Sequence, residues 1–250
     1  MPHIFLTNDD GVQAPGLLAL VQAFKSLGTV QVVAPAINQS AIGHKKTLFT
    51  DIPMHETALV DGTPAYAVGG SPADCIAISA LGATPWPPDL VVSGINRGPN
   101  MAQDITYSGT VTAALESAIH DVPAIAVSLD NHEADNVEDY RIAAEIAVKI
   151  AQKVLEKGLP PHTILNLNVP NGSGVKGLRL TRQGIRIYRD ALERDGNIYR
   201  IVGEIPTGVY DKEGTDLWAV HAGYASLTPL HLDLTAHRFI ADLAAWDIEI

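Results

Sequence analysis

One cysteine, Cys75, is the only thiol in this chain of 250 residues. It rules out an internal disulfide and fits a reducing compartment. No apolar run reaches the roughly 18 residues that a membrane-spanning helix needs. The first residues have neither a basic start nor a small-residue cleavage site, because Asn8-Asp9-Asp10 interrupts the apolar opening. No secretory signal is expected, and a cytoplasmic protein is the default. Signature loops are also missing. Without G-x-x-x-x-G-K-[ST] there is no P-loop, no G-x-G-x-x-G supports a dinucleotide site, and no G-x-S-x-G marks a serine-hydrolase elbow.

Positive charge is scarce, with 17 Lys and Arg against 28 Asp and Glu, for a net charge of −11. That field repels polyanions and argues against nucleic-acid duplexes and anionic membranes as partners. The shortage is uneven. Residues 176–200 carry Lys176, Arg179, Arg182, Arg186, Arg189, Arg194 and Arg200 against only Asp190, Glu193 and Asp195. Hydrophobic residues make up 46% of the chain and charged ones 18%, enough for an ordinary globular core.

What is present reads as strands alternating with helices. "HIFLT", "VQVVAP", "YAVGG", "DLVVSG", "PAIAVSL" and "TILNLNVP" have the length and apolarity of buried strands. "APGLLALVQAFKSLG" repeats its apolar residues at helical spacing, and "SPADCIAISALG" opens on Ser71 as cap with Pro72 in first position. "TVTAALESAIH" is a further helix. A long helix is predicted over about residues 135–157, with Glu145 and Lys149 as a supporting pair. The alternation predicts an α/β fold with a mostly parallel sheet. After about residue 175 the pattern changes, and the polar pair of strands around Asp195-Gly196 reads as a projecting hairpin arm.

In such a sheet, ligands bind where the strands' carboxyl ends meet their loops. Three polar clusters fall there: Asn8, Asp9 and Asp10; Asn38, Gln39 and Ser40; and Ser93, Asn96 and Asn100. Adjacent carboxylates repel, and a divalent cation removes the conflict. Carboxylate, hydroxyl and amide oxygens form a hard donor set that suits Mg²⁺, Mn²⁺ or Ca²⁺. The plainer reading makes Asp9 and Asp10 solvated turn residues. Ser108-Gly109-Thr110 precedes a helix whose free N–H groups could hold an anion, with Gly109 allowing close approach, although an ordinary helix cap would read the same. Beside a hard cation, phosphate is the economical ligand. Cys75 reads as inert packing. His44, and His231 and His237 around Asp233, are either substrate-facing or simply exposed.

With these residues in place, the chain resembles the SurE (survival protein E) family of metal-dependent nucleotidases. The motifs are "TNDDGVQAPG" (7–16), "VVAPAINQSAIG" (32–43), "GSPADC" (70–75), "DLVVSGINRGPN" (89–100), "YSGTVTAALE" (107–116), "NLNVP" (166–170) and "SLTPLHLDLT" (226–235). The resemblance implies a single domain over 1–250, with a Rossmann-like core at 1–175. The extension at 176–250 would carry an arm for homodimer or homotetramer assembly. It implies one Mg²⁺ or Mn²⁺ per subunit, held by Asp9, Asp10, Ser40 and Asn96. Asn8, Asn100, Ser108, Gly109 and Thr110 would line the phosphate site, and Asp9, Asn96 and Ser108 would be catalytic. Ala41 stands where a glycine commonly follows the serine, and "MAQD" (101–104) replaces a Gly-Asp-containing stretch. The expected activity is hydrolysis of nucleoside monophosphates by metal-activated water, a 5′-nucleotidase. An aspartyl-phosphate mechanism on Asp9, or nucleotide sensing without turnover, are the other readings.

Overall fold

A computed structural model describes residues 1–246 and 248. Among the described residues there are thirteen strands: β1 (His3–Thr7), β2 (Thr29–Pro35), β3 (Met54–Ala58), β4 (Pro64–Val68), β5 (Leu90–Arg97), β6 (Ala124–Asp130), β7 (Thr163–Pro170), β8 (Leu178–Leu180), β9 (Arg186–Ile187), β10 (Asp190–Asp195), β11 (Ile198–Gly203), β12 (Thr207–Gly208) and β13 (Ala225–His231). The α-helices are α1 (Pro15–Phe24), α2 (Pro72–Ile78), α3 (Gly109–Ile119), α4 (Arg141–Lys157), α5 (Asp216–His221) and α6 (His237–Ala244).

Nine strands form one sheet in the order β3-β4-β2-β1-β5-β6-β7-β13-β8. From β4 to β7 all neighbours are parallel, while β3 and β13 join antiparallel. The α/β expectation is met. Side chains of β1 alternate between two cores, as a strand's period of two requires. Ile4 and Leu6 pack with α1 and α4, and Phe5 packs with α2 and α3. Helices on both faces make three layers. From β1 the chain winds one way to β2 and later returns to place β5 on the other side of β1. The crevice at that reversal is where open α/β sheets bind ligands.

Local signals were mostly honoured. Ser71 and Asp74 complete a reciprocal capping box at α2, with Pro72 in its first turn. The long helix starts later than predicted, at Arg141, after a 3₁₀ turn over Val137–Tyr140. Glu145 pairs with Arg141 at 2.7 Å instead of with Lys149, because Arg141 lies on the same face one turn earlier and also binds Glu138. Gly172-Ser173-Gly174-Val175-Lys176-Gly177 does spell G-x-G-x-x-G, but it runs from β7 into β8 and opens no helix, so it is no phosphate loop.

The hairpin forms as β10–β11, closed by Gly196 and Asn197, outside the main sheet. A short β9–β12 pairing ties its base. The strand nature of β3 and β13 was not read from the sequence. Both are interrupted by polar residues; β3 pairs with the next strand, β4, whereas β13 finds its neighbour β7 more than fifty residues earlier in the chain. Among the described residues, no helix is long and apolar enough to cross a membrane.

Candidate active site

The loops after β1, β2 and β5 converge on an open cavity of about 420 Å³, within the range usual for small-molecule sites. Asp9, Asp10, Ser40, Asn96, Asn100 and Ser108 all line it. Each is held by a local device. Asp9 lies two residues past the end of β1, its carbonyl accepts from Gln39 N at 2.7 Å, and its carboxylate accepts from the Thr110 hydroxyl. Asp10 accepts from Arg97 N at 3.0 Å. Ser40 sits in a turn closed by its own N–H donating to Asn38 Oδ1 at 2.7 Å. Asn96 follows a register shift in β5 between Ser93 and Asn96. Gly94 lies in that shift, where a Cβ would come within 2.3 Å of the Val127 carbonyl, so only glycine fits. Asn96 donates Nδ2 to Gly98 O at 2.8 Å, leaving its Oδ1 as the free donor oxygen.

Electrostatics favour a cation here. Burial, then the neighbouring charge of Asp10, pushes the Asp9 carboxyl up to about 6, against the hydrogen bond from Thr110. Asp10 is also raised by burial, against its bond to the Arg97 N–H and that residue's charge. Two carboxylates are thus held where negative charge is costly, and an incoming cation relieves both. Among the described residues, no group of three or more His, Cys, Asp or Glu side chains could hold a metal. A cation bound by Asp9 and Asp10 must therefore complete its shell with neutral oxygens. Ser40 and Asn96 offer them, and the set fits a hard divalent ion. Asn8 Oδ1, beside Asp9 in the chain, is buried without a partner, one more uncommitted acceptor.

The family model described as "Survival protein SurE" matches residues 4–190. The chain belongs to the SurE family. It is 47% identical to the protein named 5′-nucleotidase SurE from Syntrophotalea carbinolica, over 98% of this chain and 97% of that one. The 5′-nucleotidase SurE of Chloroflexus aggregans is 45% identical over 99% of this chain and all of its own length. The crystal structure of the SurE protein from Aquifex aeolicus superposes with a TM-score of 0.83 at 41% identity, covering 98% of this chain and 99% of that one.

Against this SurE frame, the expected site residues divide. Asp9, Asp10, Ser40, Asn96, Asn100 and Ser108 meet in the cavity; Asn8, Gly109 and Thr110 do not line it. Thr110 is fully buried and spends its hydroxyl on Asp9. Gly109 allows close approach, but of Asp9 itself: a Cβ there would lie 2.8 Å from Asp9 Cβ. Asn8 donates to Gly11 O at 2.9 Å. Ser108 caps α3 by accepting from Val111 N, and its hydroxyl proton stays available.

His44 is not at the cavity. It pairs with Glu116 at 2.9 Å, beside Lys46 at 2.7 Å. Burial resists ionisation of Glu116, but the hydrogen bonds and charges of His44 and Lys46 outweigh it and hold the carboxyl down at about 2. His237 pairs with Asp233 at 2.6 Å on the surface.

Arg97, Asp104, Tyr107 and His132 line the cavity and were not singled out from the sequence. Arg97 and Tyr107 lie inside motifs already quoted. His132 follows the carboxyl end of β6, so the strand-edge rule applied once more would have found it. Asp104 is clamped by Arg186 Nε at 2.7 Å and by the Tyr188 hydroxyl at 2.5 Å. Asn168 was missed as well. Its amide pairs with both backbone groups of Asn100, accepting at 2.7 Å and donating at 3.0 Å, as a strand neighbour would. Two asparagines at i and i+2 on a core strand, Asn166 and Asn168, were the available signal.

Proposed function

We propose that this chain is a divalent-cation-dependent 5′-nucleotidase that hydrolyses nucleoside monophosphates to nucleoside and phosphate. The observation that carries the reading is the meeting of Asp9, Asp10, Ser40, Asn96 and Ser108, from the ends of three strands and the connections that follow them, around one cavity. Relatives of matching length bear the name 5′-nucleotidase SurE. Asp9, Asp10, Ser40 and Asn96 would hold the ion, Mg²⁺ or Mn²⁺. When bound, it supplies positive charge against the phosphoryl oxygens and acidifies water.

The chain's own groups do the rest. Thr110 orients Asp9 so that one carboxylate oxygen stays available. Ser108 donates its hydroxyl to a phosphoryl oxygen, and Asn100, fixed by Asn168, borders the same space. Such prepositioned donors stabilise developing charge without reorganisation, and losing one raises a barrier by about 3 kcal/mol. The organisation that goes with this reading is a single domain over 1–250, with a core at 1–175, working in the cytoplasm as a homodimer or homotetramer. Exposed apolar residues on the arm, including Leu192, Ile198 and Ile201, support its use in assembly.

Phosphate release from AMP by chelator-stripped protein, with and without added Mn²⁺ or Mg²⁺, is the test. Turnover restored by metal is expected. Metal binding without release from any nucleoside monophosphate would overturn the enzyme in favour of a sensing module. Phosphate bound covalently to acid-quenched protein would instead make Asp9 a nucleophile.

A further inference from the structure

The ion-and-phosphate cavity shares a wall with a second one. A space of about 390 Å³ adjoins it, and Pro99, Asp104 and His132 line both. A nucleoside monophosphate anchored by its phosphate near Asp9 and Ser108 carries its sugar and base away from those groups, towards a neighbouring space. Another space, of about 320 Å³, adjoins it and shares Asp10 and Arg97.

The two neighbours offer different chemistry. The smaller one has Tyr140 as its aromatic residue, but that side chain is 1% exposed and its hydroxyl is spent on the Ala134 carbonyl. It has no ring face to give. The larger one exposes Ile205 and Pro206 on one side, above a small core of Met101, Leu217 and Val220 against which Tyr210 packs, and faces Asp130 and Arg186 on the other. Tyr210 and His221 also line it, their rings 4.8 Å apart and tilted by 33°. Tyr210 is half-buried and His221 is exposed, so ring surface is left for a ligand. Apolar walls with aromatic rings suit a flat heterocycle, because every base has a π-face to stack.

We propose that this second cavity seats the base of the nucleotide, with Tyr210 and His221 as its gripping residues. The inference rests on the nucleotidase reading and adds where the nucleoside lies. It also divides the labour along the chain. Metal and phosphate residues come from the first 110 positions, whereas the base residues come from the end of the arm and α5. Stacking carries little hydrogen-bond readout, so purine and pyrimidine monophosphates should both be accepted.

In ribose 5-phosphate a hydroxyl replaces the base of AMP, so the ratio of their kcat/KM values reports on the base. With Mn²⁺ present, the unaltered protein should prefer AMP, and the Tyr210→Ala/His221→Ala double variant should lose about tenfold of that preference. If the double variant does not fold, His221→Ala decides, since it changes an exposed side chain at the end of α5; about a threefold loss is expected. A preference unchanged in the variants, or absent from the unaltered protein, would overturn the base site and leave the phosphatase standing. Release of phosphate from neither ester would overturn the phosphatase reading, and the base site with it.

Discussion

From Ile4 to Asp9 no side chain is more than 3% exposed, whereas in the hairpin every residue of β10 faces solvent. The first segment lies between parallel strands on both sides and between helices on both faces. The second is held by its own ladder and a two-residue pairing at its base. Where neighbours on every side fix a position, a polar residue can be kept in a costly state, as Asp9 is. Where nothing covers a strand, its apolar side chains are available to another surface. Changes in the first region should therefore act on chemistry, and changes in the second on assembly.

The sharpest break in that contrast is Asp9→Asn. It should lower kcat/KM for AMP by at least about a thousandfold, since in the proposed function Asp9 holds the metal. The same change should stabilise the metal-free protein at pH 7, on the order of 2 kcal/mol, read as a higher melting temperature without metal. The sign follows from the raised carboxyl of Asp9. Its contribution to stability is full below the ordinary value of 3.8 and is lost as pH rises to about 6. An unchanged melting temperature would mean that Asp9 is not strained by burial.

Deleting the hairpin, residues 190–203, tests the other side. The main sheet should stay folded by circular dichroism while light scattering reports a smaller particle. An unaltered oligomer would remove the arm's assembly role.

Thr110→Val comes next. Removing a buried hydroxyl from a carboxylate should cost about 2 kcal/mol of stability, with kcat falling about tenfold. A normal kcat would show that Asp9 needs no orienting.

Glu116→Gln loosens the loop of Ser40 where Glu116 binds His44 and Lys46, and about 1 kcal/mol of stability should go at pH 7. In the unaltered protein this contribution is present above the ordinary value of 4.5 and is lost as pH falls towards about 2. Acid titrations of the two proteins should thus converge over that window.

The smallest effect belongs to Ala41. It sits at φ +57°, a left-handed conformation that glycine adopts freely, and Ala102 in the "MAQD" segment has φ +52°. Both positions place alanine where a Cβ is disfavoured. Ala41→Gly should relieve that strain and gain under about 1 kcal/mol, because the glycine's freer unfolded chain offsets part of it. A loss of stability would show the loop strain-free as it is.

The order of strands and helices, the capping box at Ser71 and the three polar clusters at strand ends were legible in the sequence. Each is written within about ten neighbouring residues, through apolar period, caps and turn chemistry. The hairpin was legible for the same reason, from its turn and its polar strands. The placement of Thr110 on Asp9, 101 positions away, was not. Nor was the pairing of Asn168 with Asn100, the insertion of β13 beside β7, or the clamp of Arg186 and Tyr188 on Asp104. Those contacts form only once parallel strands bring distant loops to one edge, and no local period records them. The sequence by itself determined which groups could serve chemistry. The tertiary structure decided which of them face the cavity and which hold the others in place, because a side chain's partner depends on packing across the whole sheet.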